Sequence, residues 1–383
     1  MPLPIDSATA LARLLVRIPS VNPDGDSSTD ATGTDATGEG DCARFVAGFL
    51  ADCGAEVTVE DVVPGRPNVI GRFPTRGSGK PRILFAPHTD TVGVGGMTIA
   101  PFGGEVRDGR LWGRGASDTK GPMAAMLWAL RSLGAQIADL PVEVHFAGFM
   151  AEESDQKGSR HFAARHDGYA LALVGEPTGM RAVHKHNGCL WAEVITRGVA
   201  AHAATPEQGV NAITRMMPLV AALDGDFRRQ LVEQGGVDDL LGPSTINIGT
   251  IQGGTRGNIV PDRCVLGLDI RFTPQLRDRG GATALLEAFV RERDAEAEVR
   301  ALPESPPLDT PADNPFLQQL VRRGAALDGA PWFCDGAYLA AGGIPAVAIG
   351  PGSIAQAHTE DEWISVAELE AGARFFEGWL RAL

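Results

Sequence analysis

No stretch of the sequence approaches the ~20 consecutive apolar residues that cross a bilayer, so no helical membrane span is expected. The N-terminus, MPLPIDSATALARLLVRIPS, lacks a basic lead, a sustained apolar run and a small-residue cleavage site, and an uncleaved cytoplasmic protein is expected. Positive charge is scarce: 34 Lys and Arg stand against 48 Asp and Glu, a net charge of −14. That balance removes the basic face that nucleic acid or anionic lipid would need. Cysteine is sparse too. Cys42, Cys53, Cys189, Cys264 and Cys334 are odd in number, scattered and without a C-x-x-C pair, which argues against a thiolate metal site or redox dyad and reads as reduced, mostly buried thiols.

What is present is the profile of a soluble globular chain, 44% hydrophobic and 21% charged. Its 383 residues suit two domains at about 150 residues each. A helix is expected near 7–18, then a Gly/Ser/Thr/Asp tract with the near-repeat TDATG that reads as a surface loop. EVTVEDVV, NVIGRF, RILFAPHTD, VEVHFAGFMAEE and LALVGEPT read as strands, with helices from Cys42 to Ala51 and at about 121–133. Continuous apolar runs separated by helices predict a parallel α/β sheet. Ligands gather at the carboxyl ends of such strands, and here the runs terminate in His88 and Asp90, in Glu152 and Glu153, and in Glu176.

After Gly179 the pattern changes to long alternating strands, AVHKHNGCLWAEVITRG, STINIGTIQGG and DRCVLGLDIRF, interleaved with helices at about 210–224 and 282–293 and closed by AEVRAL. The order β-α-β-β-α-β predicts a ferredoxin-like unit over 180–303, inserted into a catalytic domain made of 1–179 and 304–383.

His88-Thr-Asp90 presents an imidazole with a carboxylate two positions on, the pairing that orients a metal-bound histidine. Asp118, in GRGASDTKGPMAAML, reads either as the N-cap of the following helix or as a ligand. Adjacent Glu152 and Glu153 are either solvated loop acids or a ligand and a base, since neighbouring carboxylates at a strand end repel unless a cation or proton relieves them. Glu176 and His358 again follow apolar strands. Together these form an oxygen and nitrogen donor set without thiolate, suited to zinc, cobalt or manganese.

HTDTV, GRGASDTKG, AEES, GEPT and QAHTEDEW, in this order, resemble the metallopeptidase family that contains acetylornithine deacetylase, succinyl-diaminopimelate desuccinylase, aminoacylase and glutamate carboxypeptidase; GPGSIAQAH is similar to the acetylornithine deacetylase branch. The resemblance implies an α/β zinc-peptidase-like domain with a mixed, largely parallel sheet, interrupted by a ferredoxin-like lid and dimerisation domain. It implies two divalent ions, zinc first: Asp118 bridges them, Glu153 and His358 complete one site, and His88 and Glu176 the other. Glu152 matches the general base, Asp90 the residue that orients His88, and His202 a histidine donated by the neighbouring subunit of a homodimer to the oxyanion. Asn258 and Arg271 match residues that face a substrate carboxylate, against the plainer reading of Arg271 as a lid salt bridge. Lys185 and His186 lie near the lid hinge. The Asp118-Thr119 peptide is implied to be cis, a rare state for a non-proline bond.

The implied activity is metal-dependent hydrolysis of the amide of an N-acyl amino acid in amino-acid metabolism. A carboxypeptidase or dipeptidase using the same site is the alternative. A non-catalytic binding protein on this fold is the third class, opposed by the retention of every implied ligand and of Glu152. FCDGAYLAAGG, where branches of the family differ, and Pro87, where many relatives carry glycine, are departures; the first leaves acyl group and amino acid open.

Overall fold

The computed structural model describes residues 5–24 and 38–383, so most of the Gly/Ser/Thr/Asp tract lies outside the described residues. The chain forms two compact units, one of residues up to His184 with Thr310–Asp328 and Cys334–Leu383, the other of Lys185–Asp309 with Gly329–Phe333. The divisions fall a few residues beyond the expected 179/180 and 303/304. The reason is strand pairing: Ala182–His186 is not a linker but a strand, joined antiparallel to Ala346–Ala348 and to Leu308–Asp309.

The first unit is built on a nine-stranded sheet. Its centre runs Glu143–Gly148, Arg82–Ala86, Tyr169–Val174, Ala346–Ala348, all parallel. The Glu56–Val63 and Arg66–Arg72 hairpin flanks one side antiparallel, so the sheet is mixed. The central strands are apolar on both faces because both are covered, as parallel sheets require. Phe85, for example, meets Phe376 and Trp379 of the C-terminal Val366–Arg381 helix edge-on, at centroid distances of 5.7 and 6.4 Å. Parallel direction places His88, Glu152, Glu153 and Glu176 beyond the same ends of three neighbouring strands.

The second unit is a four-stranded antiparallel sheet in the order Thr245–Gly253, Arg263–Phe272, Gly188–Arg197, Glu298–Ala301, with βαββαβ connectivity. Along Arg263–Phe272 every second residue, Cys264, Leu266, Leu268, Ile270 and Phe272, is buried in its core. The segment expected as one strand over 182–198 is two, broken at Asn187. The helix expected to end near 224 does not stop there: Ala212–Ala222 continues through a π-helical turn at Leu223–Phe227 into Arg228–Gly235. The wider turn keeps Leu223 and Phe227 buried. Among the described residues no helix is long and apolar enough to cross a membrane.

Candidate metal centre

His88 leaves the Arg82–Ala86 strand still paired with Phe149 across the sheet, which fixes its backbone. Its Nε2 lies 3.0 Å from Asp118 Oδ1. Its Nδ1 lies 3.0 Å from the Asp90 carbonyl and 3.4 Å from Asp90 Oδ1, so Asp90 holds the far side of the ring through main chain and side chain together. The Asp90 carboxylate has a second task. Oδ1 accepts the Glu152 N–H at 3.1 Å and Oδ2 the Glu153 N–H at 3.0 Å, while the Asn22 side chain donates to Oδ2 at 2.7 Å. Burial would raise the pKa of Asp90, but these bonds and the neighbouring His88 hold it below the ordinary carboxylate range.

Asp118 is not a helix cap. Thr119 occupies the N-cap position of Lys120–Leu133 without a side-chain capping bond, and the Asp118-Thr119 peptide is cis. The Asp118 carboxylate turns to the imidazoles instead, with Oδ2 3.6 Å from His358 Nε2. The turn is tight at Gly121, where a Cβ would lie 2.3 Å from the Ala116 carbonyl oxygen.

Ala151, at φ +60°, re-aims the chain after Phe149 and Met150 so that Glu152 and Glu153 both leave solvent. The reading of two solvated loop acids is therefore wrong for this fold. Burial pushes the Glu152 carboxyl well above its ordinary pKa, although the His88 charge opposes it. Burial and the Asp118 charge push Glu153 up to about 7, opposed by its 3.0 Å bond to His358 Nε2. Glu176 is raised by burial and by Asp118; the Thr119 hydroxyl ties the Asp118 loop to the carbonyl of Gly175 beside it. His358 sits in the left-handed region at φ +59°, its side chain 56% exposed, and the Glu153 bond raises its pKa.

Donor atoms of His88, Asp118 and Glu153 all lie within 4.8 Å of one another. Glu153 Oε1 and Glu176 Oε1 are buried without a hydrogen-bond partner. Buried carboxylates that repel one another and leave oxygens unpaired fit a cation, which supplies the missing charge and displaces their protons. The donor chemistry, all imidazole and carboxylate, suits a divalent ion, and the cluster is a candidate divalent-metal site.

The second unit carries the remaining candidates. His202 is exposed, and its Nδ1 accepts the Ala204 N–H at 3.0 Å, which leaves the proton on Nε2 as a donor. Asn258 is exposed and its carbonyl accepts from Ala203. Arg271 is bound through Nε and Nη2 by Asp269 at 2.8 and 3.0 Å, so the salt bridge forms. Lys185 pairs with Asp238 and Asp309.

Residues given no role from the sequence also surround the centre. Asn22 donates to Asp90, and Glu39, bound to Arg66, accepts the Ala151 N–H. Asp335, in the divergent FCDGAYLAAGG segment, is buried, accepts the Ser159 hydroxyl and is pushed up to about 7 by burial. None lies within a motif whose spacing announces a role; only the buried polar character of each, visible once the chain is folded, marks them.

The chain has relatives in sequence and in fold. Peptidase family M20/M25/M40 matches residues 84–382. Over 373 residues the chain is 31% identical to acetylornithine deacetylase of Proteus mirabilis, covering 94% of this chain and 92% of that protein. Its fold is similar to that of aminopeptidase PepT from Bacillus cereus, with a TM-score of 0.74, 23% identity and 99% of each chain covered. It is also similar to that of the M20 family metallo-carboxypeptidase Sso-CP2 from Sulfolobus solfataricus, with a TM-score of 0.74, 19% identity and coverage of 98% of this chain and 99% of that one. At those two identities the likeness carries the fold alone. The sequence match, running from the first central strand of the sheet to the C-terminal helix and through every residue of the centre, makes this chain a hydrolase belonging to peptidase family M20/M25/M40.

Proposed function

We propose that the chain hydrolyses the amide bond of an N-acyl amino acid, with acetylornithine-type substrates first, at a centre of two divalent ions, zinc foremost. The observation that carries this reading is the Glu152 carboxyl: 8% exposed, without a hydrogen-bond partner among the described residues, and next to a Glu153 already engaged by His358. With Asp118, Glu153 and Glu176 assigned to the ions, it is the acid beside them left to move a proton. The name of the Proteus mirabilis relative supports the deacylase reading.

Asp118 would hold both ions, a role supported by its turning Oδ1 to His88 and Oδ2 to His358. Glu153 and His358 would complete one position, His88 and Glu176 the other. Ions held there supply Lewis acidity, polarising the amide carbonyl and acidifying water. Glu152 takes a proton from the attacking water as its oxygen bonds to the carbonyl carbon. It then delivers that proton to the nitrogen as the C–N bond breaks, giving carboxylic acid and amine; the acid's proton passes to the amine, and they leave as carboxylate and ammonium. Asp90 keeps Glu152 and Glu153 in place through their amides. The protein is further proposed to work in the cytoplasm as a homodimer through the second unit, a second copy's His202 donating Nε2–H to the oxyanion. Asn258 and Arg271 are assigned to the substrate carboxylate, the Asp269 ion pair holding the guanidinium and leaving Nη1 as its free donor.

Chelator-treated protein should be inactive and regain activity with zinc or cobalt, and N-acetyl-ornithine should be turned over faster than any member of a dipeptide panel. A preference for dipeptides would move the reading to a carboxypeptidase or dipeptidase; activity that survives complete metal removal would end it. Steady-state kinetics separate the second unit's roles. His202→Ala should lower kcat by ~10²–10³-fold with KM little changed, as loss of one oxyanion donor does, whereas Arg271→Ala should act mainly on KM. Wild-type kcat in the first or wild-type KM in the second removes that residue's role.

A further inference from the structure

Of the acids in QAHTEDEW, Glu362 alone is completely buried. Its Oε1 accepts the backbone N–H groups of Ser117 at 2.7 Å and Asp118 at 2.8 Å. Its Oε2 accepts the Gly115 N–H at 2.9 Å and Arg114 Nη1 at 2.9 Å. Its own carbonyl accepts the Gly113 N–H at 3.0 Å. Arg114 is 3% exposed and is fixed in turn by a bond from Nε to the Gly93 carbonyl at 3.0 Å. One side chain thus gathers the backbone of the whole turn that ends in Asp118. It does so from four residues beyond His358, on a segment also pinned where Asp361 accepts the Thr98 and Ile99 N–H groups at 2.9 and 3.2 Å.

We propose that Glu362 is a positioning residue that holds the Asp118 turn and the His358 turn in fixed relation, so that the two side chains meet the same metal centre. The inference rests on the reading of Asp118 and His358 as ligands. Stability alone is a poor explanation for the arrangement. A buried Arg and Glu pair is often no better for stability than apolar side chains of similar volume, and here the anion is set beside the carboxylate of Asp118. What the pair supplies is geometry: His358 is exposed and itself sits in the left-handed region, and the Glu362 bonds reinforce the 3.3 Å bond from the Ser117 hydroxyl to the Ser353 carbonyl that also joins its loop to the Asp118 turn.

The donor count makes the role testable. Each carboxylate oxygen faces two donors, so only an acceptor-only group satisfies all four. In Glu362→Gln the amide NH2 must face either the Ser117 and Asp118 N–H groups or Gly115 and Arg114, whichever way it is flipped. The turn has to shift although side-chain volume barely changes.

Zinc affinity by chelator competition, the visible spectrum of the cobalt-loaded protein and the melting temperature of the metal-free protein should be measured for wild type and Glu362→Gln. Zinc affinity should fall ~10–100-fold, the usual effect of losing a partner that orients ligands, and the cobalt spectrum should change. A lower melting temperature with wild-type affinity and spectrum would make Glu362 merely structural and overturn the proposal. If Glu362→Gln does not fold, Glu362→Asp, one methylene shorter and unable to reach all four donors, is read by the same measurements and the same two outcomes. A wild-type protein that binds no zinc or cobalt overturns the ligand assignment itself, a failure distinguishable from that of Glu362.

Discussion

Replacing Glu152 with glutamine should lower kcat by ~10²–10⁴-fold, the range supplied by general acid and base catalysis, while zinc content and melting temperature stay near wild type. The substitution keeps size and shape and removes only the capacity to accept a proton. It breaks no side-chain bond, because the Glu152 carboxyl has no hydrogen-bond partner among the described residues, and the backbone bond to Asp90 Oδ1 remains. The expected loss corresponds to about 3–5 kcal/mol of barrier. Undiminished turnover in a fully metal-loaded Glu152→Gln protein would remove Glu152 from the reaction.

Asp118→Ala should have the larger effect, because the proposed ligand shared by both metal positions disappears. Turnover should fall to background and elemental analysis should show zinc lost from both positions rather than one. Stability gives an independent reading. Asp118 adds to the repulsion that lifts Glu153 and Glu176 but also meets His88 Nε2 at 3.0 Å, so the two effects oppose and the metal-free variant should melt close to metal-free wild type. The rise in melting temperature that added zinc gives the wild type, set by the ratio of free metal to dissociation constant, should be lost. An Asp118→Ala protein that still binds two equivalents of zinc would refute the shared-ligand assignment.

The strands that carry the centre were legible because burial on both faces leaves a continuous apolar run, and each run stops where a polar side chain must reach the rim. RILFA before His88 and ALALV before Glu176 are of this kind. Asp118 was ambiguous for a physical reason: a carboxylate before a helix is what a cap looks like, and only the fold shows it turned toward His88 and His358. Glu362 carries no such signal. Its partners lie 244 to 248 positions away in sequence, and a carboxylate among Glu360 and Asp361 has the local signature of a solvated turn. Asn22 was hidden similarly, its bond to Asp90 spanning 68 positions beside a tract that reads as loop. The break at Asn187 left no mark, because alternation continues across it even though the residues on either side pair with different sheets. Helix continuation past Gly225 depended on a backbone turn that hydrophobic spacing does not encode.

The Ala346–Ala348 strand enters the large sheet between Tyr169–Val174 and Ala182–His186, and only beyond it does the chain reach His358. The bond from His358 to Glu153 closes across 205 positions, the entire second unit among them. During synthesis, a ribosome-bound nascent chain cut short before residue 358 already holds His88, Asp118, Glu153 and Glu176, yet cannot close the set. On the proposed ligand assignment, the position that needs Glu153 and His358 is therefore completed only after the second unit has been made, later than the one that needs His88 and Glu176.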